Sequence, residues 1–171
     1  RIATIERASK RIVAYEVATE KIGSSGDRDA ALSVFSFTDA GNHKRDTAVV
    51  DVNGDGLLDL VATDTEANAL VIYKQVPGKG LQPGVSYPSL SDITFLAAGN
   101  VDEDPAAELF VLSEKEGVVG RCDVTDDGVG FPQPLNIPDG NTPVAMNLVT
   151  LQSGPALAVV AKATRDYFMY L

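Results

Sequence analysis

Asp51-Val52-Asn53-Gly54-Asp55-Gly56-Leu57-Leu58-Asp59-Leu60-Val61 is the stretch from which the rest of the chain can be read. Oxygen-bearing side chains stand at alternate positions, two glycines sit among them, and an apolar run follows at once. Shifted forward by 49 positions, the frame lands on Asn100-Val101-Asp102-Glu103-Asp104-Pro105-Ala106-Ala107-Glu108-Leu109-Phe110. The polar residues match at the first, third, fifth and ninth places, and the apolar pair recurs. A second shift of 49 reaches Val149 to Val159, where Leu157-Ala158-Val159-Val160 keeps the apolar half and Val149, Leu151 and Ser153 replace the acids. Upstream, Ile2-Ala3-Thr4 resembles Val61-Ala62-Thr63, and Ile12-Val13-Ala14-Tyr15 resembles Leu70-Val71-Ile72-Tyr73.

Each unit reads as four short strands. In the best copy these are Thr47 to Val50, Leu60 to Thr63, Leu70 to Lys74, and a fourth near Val85 to Tyr87. Val, Ile, Thr and Tyr fill the runs, while Gly, Asn, Asp and Pro bound them. Gly78-Lys79-Gly80-Leu81 and Gly128-Val129-Gly130-Phe131 look like hairpin turns feeding the fourth strand. No stretch carries a sustained apolar period of 3.6 residues. Four strands in a unit of about 50 residues is the pattern of a propeller blade, which buries its faces against neighbouring blades. The expected fold is all-β: a β-propeller, seen as a partial ring of roughly three and a half four-stranded blades with segments near 1–45, 46–93, 94–142 and 143–171. Complete rings have about 4 to 8 blades, so the chain is expected to be part of a larger one.

The acidic loop carries the chemistry. A hard cation such as calcium takes six to eight oxygen ligands from carboxylates, amides and carbonyls. The side chains of Asp51, Asn53 and Asp55, the carbonyl of Leu57 and the carboxylate of Asp59 form such a set, with Gly56 free to turn the chain at positive φ. A solvated Asn-Gly/Asp-Gly hairpin explains the glycines but not the acids at the first and ninth places. An EF-hand needs Glu at position 12, which here is Ala62, and a dockerin-like reading needs a helix that Leu60-Val61-Ala62-Thr63 starts poorly. A second site is expected at Asn100, Asp102, Asp104, the Ala106 carbonyl and Glu108. It is the weaker one, because Pro105 stands where Gly56 stands and cannot take a positive φ.

Lys and Arg number 14 against 24 Asp and Glu, a net charge of −10, which argues against nucleic acid and anionic membranes as partners. No apolar run approaches the ~18 residues of a membrane span. Cys122 and His43 are each the sole residue of their kind, so no disulfide framework holds the chain, and neither a His-based metal cluster nor a Ser-His-Asp triad can be assembled convincingly within it. A lone cysteine of this sort reads as a small buried hydrophobe. Asp126-Asp127 offers carboxylates, but as a solvated turn rather than an acid–base pair. Glu20 to Ala30 has the polar, flexible composition of a mobile surface loop.

On Asp51 to Val61, and with the Pro105 and Glu108 departures on Asn100 to Phe110, the chain resembles the FG-GAP/VCBS repeat family, whose relatives include the propellers of integrin α subunits. Gly128 to Phe131 matches the family's Gly-x-Gly-Phe element. The resemblance implies calcium as a structural ion, an extracellular, cell-surface or periplasmic setting, and binding through the propeller faces with no chemistry of its own. The expected function is a non-catalytic, calcium-stabilised interaction or scaffolding module, whose partner is another protein or the remaining blades. The alternative is a carbohydrate-binding propeller domain of a secreted lectin or polysaccharide-degrading enzyme. The absence of Trp, with only five Tyr to stack on a sugar ring, weighs against it.

Overall fold

The computed structural model describes residues 2–6, 11–17, 32–37, 46–162 other than 103 and 126, and 167–170. For 2–6, 11–17, 32–37 and 167–170 only backbone pairing is described. The Glu20 to Ala30 segment, His43 and Asp126 lie outside the described residues.

The described chain is all-β, and its sheets are antiparallel. β1 (Ile2–Glu6), β2 (Arg11–Val17) and β3 (Leu32–Phe37) form a three-stranded sheet. A four-stranded sheet follows, with β4 (Thr47–Val50), β5 (Asp59–Asp64), β6 (Ala69–Tyr73) and β9 (Val85–Pro88) side by side in that order. Between its last two strands, β7 (Gln75–Val76) and β8 (Gly80–Leu81) form a separate small hairpin. The same plan recurs with β10 (Phe95–Gly99), β11 (Glu108–Ser113), β12 (Val118–Cys122) and β15 (Gln133–Pro134). Its own small hairpin is β13 (Val124–Thr125) with β14 (Gly128–Val129). A sheet of β16 (Pro143–Leu151), β17 (Gly154–Ala161) and β18 (Tyr167–Tyr170) follows. None of these sheets closes on itself.

The alternation of side chains along a strand explains how the sheets stack. On one face of the second sheet Val61, Leu70 and Ile72 meet Leu96, Leu109, Val111 and Cys122 of the third. The opposite face of the third sheet sends Phe110, Leu112 and Val119 against Met146, Leu157 and Val159 of the fourth. Both faces of the central strands are therefore covered, and every residue of β11 is buried. That double burial is why β5 and β11 read as nearly continuous apolar runs rather than as alternating ones. Cys122 lies fully inside, and burial pushes its thiol up to about 12. It is a packing residue, as its isolation in the sequence suggests.

The earliest strand of each sheet lies beside the earliest strand of the next: β1 beside β4, β4 beside β10, and β10 beside β16. Asp46 ties one such junction. Its carboxylate accepts a hydrogen bond from the Leu96 amide of the following sheet at 2.9 Å and another from Thr47.

Candidate metal centre

The stretch 51–59 joins β4 to β5, and the stretch 100–108 joins β10 to β11, so the two acidic loops occupy the same place in successive sheets. In the first loop Asp51 acts as a hub. One carboxylate oxygen accepts the amides of Gly54 at 2.8 Å and Asp55 at 3.2 Å, and the other accepts Gly56 at 2.7 Å. Asp55 accepts the Leu57 amide at 2.8 Å and the Asn53 carboxamide at 2.9 Å. Gly54 and Gly56 adopt φ of +72° and +82°, the left-handed conformation that lets amides turn inward on Asp51.

Asp59 behaves differently. It is fully buried, and its two oxygens hold the Val52 amide at 3.1 Å and the Gln75 amide at 2.7 Å. It therefore spans the loop, the start of β5 and the start of the β7–β8 hairpin. Burial raises its pKa; the two amide hydrogen bonds pull the other way, and the charges of Asp55 and Asp51 add to the rise.

In the second loop Val101 donates to Glu108 at 2.8 Å, as Val52 does to Asp59. Asp102 accepts the Asp104 amide at 3.0 Å, Asp104 accepts the Ala106 amide at 2.8 Å, and the Asn100 carboxamide donates to the Asp104 carbonyl. None of the described residues in this loop has a positive φ, so the proline loop turns by a different route from the glycine loop. The two loops also touch. The Ala107 amide donates to the Asp51 carbonyl at 3.1 Å, and Pro105 lies against Gly54 so closely that a Cβ there would come within 3.0 Å of it. An open groove lined by Asn53, Lys74, Ala106, Val124 and Thr125 runs between them.

All ten sequence-predicted positions thus fall in two matching loops, but their carboxylates are not equally placed. Asp102, Asp104 and Glu108 bring carboxylate oxygens within 4.8 Å of one another, close enough to share a cation. Asp51, Asp55 and Asp59 do not form such a group; Asp59 is turned inward onto the buried Val52 amide and the half-buried Gln75 amide. Compensation differs in the opposite sense. Among the described residues no Lys or Arg forms an ion pair with Asp51, Asp55 or Asp59, whereas Arg121 reaches Asp102 at 3.2 Å and Glu108 at 3.5 Å. Burial raises the pKa of Glu108; the Val101 hydrogen bond and the Arg121 charge lower it, while the Asp102 charge raises it.

The first loop fits a calcium-like ion by its donor chemistry. Its candidate ligands are all oxygens, its three carboxylates have no cationic partner among the described residues, and five of their six oxygens accept a single hydrogen bond each, leaving a lone-pair position. Arg121 was not singled out from the sequence. Its signal is a charge inside an otherwise apolar strand, Val118-Val119-Gly120-Arg121-Cys122, at the position that the 49-residue shift aligns with Ile72. A buried-strand arginine calls for a partner. No protein-family model matches this chain, and no curated protein matches it either.

Proposed function

We propose that the stacked sheets are consecutive blades of a β-propeller of the FG-GAP/VCBS type, stabilised by calcium at the first acidic loop, and that the molecule serves as a non-catalytic protein-interaction scaffold outside the cytoplasm. The observation that carries this reading is the recurrence of one acidic loop between the first and second strands of two successive sheets, with the first loop docked on the second. A loop so placed joins two strands at their ends, and an ion held by both ends ties them in register. Loop hydrogen bonds already orient Asp51 and Asp55, and an ion there would draw Asp59 toward them, since the three carboxylates do not converge on their own. This favours a structural ion over a reactive one, since carboxylates engaged in hydrogen bonds, one of them fully buried, are poorly free to shuttle protons.

The test is a calorimetric titration of the intact protein with calcium and, separately, with magnesium, paired with melting curves in calcium and in chelator. The expected result is micromolar to millimolar calcium affinity, in the range of extracellular modules, and a higher melting temperature in calcium. Absence of calcium heat up to several millimolar, with the fold intact, would overturn the metal reading.

A further inference from the structure

We propose that Arg121 is the resident cation of the second acidic loop, so that this loop is held by an internal guanidinium where the first is held by an ion. The proposal rests on the calcium reading of the first loop only for that contrast; the second-loop claim stands on its own geometry.

Register places Arg121 where it can do this. β11 pairs with β12 so that Phe110 faces Arg121 and Leu109 faces Cys122. Arg121 is therefore diagonal to Glu108 on the same face, a separation that a long side chain spans. Its Nη2 lies 3.2 Å from Asp102 and 3.5 Å from Glu108, and its Nε lies 3.6 Å from Asp123. Two of the three converging carboxylates thus share one guanidinium nitrogen. In the preceding sheet the corresponding pair is Val61 with Ile72, and Ile72 is sealed in the core. No cation can reach the first loop from there.

Glu108 makes the arrangement more than a surface ion pair. Its side chain is 6 % exposed, whereas those of Asp102 and Arg121 are 40 % and 39 % exposed. A nearly buried carboxylate requires a compensating charge, and the guanidinium supplies one from within the chain. One guanidinium nitrogen lies between the two carboxylates, donating a hydrogen bond to Asp102 and facing Glu108 as a charge. A divalent ion at Asp102, Asp104 and Glu108 would compete for the same oxygens and would sit against a fixed positive charge. The departures of the second loop then have one explanation. Pro105 removes the glycine turn that wraps oxygens around an ion, and the longer Glu108 reaches toward the arginine.

The experiment isolates the second loop by titrating calcium into Asp55→Ala, into Asp55→Ala/Arg121→Gln, and into wild type, with circular dichroism to check folding. Asp55→Ala is expected to bind no calcium at the second loop. The double variant is expected to gain a site with at least tenfold higher affinity, abolished by adding Asp104→Ala. A calcium site in Asp55→Ala that Asp104→Ala removes, or no gained site in a folded double variant, would overturn the proposal. If Arg121→Gln does not fold, the Asp55→Ala protein decides. In Asp55→Ala, where the first loop takes no ion, the Arg121 Nε–H resonance should stay in place as calcium rises to millimolar levels, and a shift that saturates in that range would overturn the proposal. Identical titrations of wild type and Asp55→Ala would instead count against the first-loop reading alone.

Discussion

Replacing Asp59 by alanine separates two roles that the first loop combines, ion ligand and internal strut. Asp59 holds the amides of Val52 and Gln75 at 3.1 and 2.7 Å from a fully buried position. Hydrogen bonds to a charged group contribute about 1.5–3 kcal/mol each, and orphaning a buried amide carries its desolvation penalty. The loss is offset by the burial and repulsion that already raise the pKa of Asp59, which the substitution relieves. A net destabilisation of about 2–4 kcal/mol is expected with no ion present. At roughly 2–4 °C per kcal/mol for a chain of this size, the melting temperature in chelator falls by roughly 5–15 °C.

Asp55→Ala is the control. Asp55 is exposed and bonds only the Leu57 amide and the Asn53 side chain within the loop. Its removal should barely move melting in chelator, yet should abolish the calcium increment, about 2.7 kcal/mol when free ion is a hundredfold above its dissociation constant. Scanning calorimetry of the wild type and both variants, in calcium and in chelator, gives the four differences needed. If Asp59→Ala melts in chelator within 1 °C of wild type, the strut argument is refuted and Asp59 is a ligand only. If Asp55→Ala falls in chelator as far as Asp59→Ala, the division between the two residues is wrong.

Gly54→Ala should destabilise more than Gly56→Ala: both strain a left-handed residue by about 1–2 kcal/mol, but only at Gly54 does the new Cβ meet Pro105, at 3.0 Å; urea melts will rank them. The Asp59 contribution to the stability of chelated protein should fall as pH rises above 3.8, because its raised pKa gives a contribution that is whole below that ordinary value and is lost as pH climbs through the folded-state value. Calcium should remove that slope, and melting temperatures across the range in both media check it. Glu108, also raised by burial, adds to the fall, and Glu116, lowered by its hydrogen bonds to Ser91, acts with opposite sign as pH drops below its ordinary 4.5, so the comparison starts above that value. Asp46→Ala should loosen the junction between the second and third sheets, seen as faster hydrogen exchange at the Leu96 amide than at Val111 in mid-strand.

The strands were legible because their boundaries coincide with turn chemistry. Thr47 to Val50 stands as read, and Leu60 to Thr63 lies inside Asp59–Asp64. The glycine turns were read as feeding a fourth strand; they are two-stranded hairpins in their own right, at 75–81 and 124–129. The missing acids of the third copy were also visible, and the reason now is plain: Leu151 pairs directly with Gly154, so the loop has shrunk to a tight turn at Gln152 and Ser153. What a linear pattern could not supply was the direction of side chains. Asp59 and Glu108 occupy the same place in the repeat and accept equivalent amides, Val52 and Val101, yet the second oxygen of Asp59 goes to the Gln75 amide while that of Glu108 faces Arg121. The partner of Glu108 lies on the adjacent strand, set by register rather than by the motif.

The three successive connections differ in the charge that they must neutralise, and this orders their dependence on the solvent. The first holds three carboxylates with no internal cation among the described residues, so mutual repulsion favours an ion from outside. The second supplies its own guanidinium, which is always charged and does not vary with ion concentration. The third, a tight turn, has no acids to balance. On the proposed calcium reading, loss of the ion would be felt at one junction rather than along the whole stack. That junction is where the Asp51 carbonyl receives the Ala107 amide and Gly54 meets Pro105. An ion that fixes the first loop fixes the surface on which the second loop sits, even though the second binds none, and in this way a single site can set the packing of two sheets.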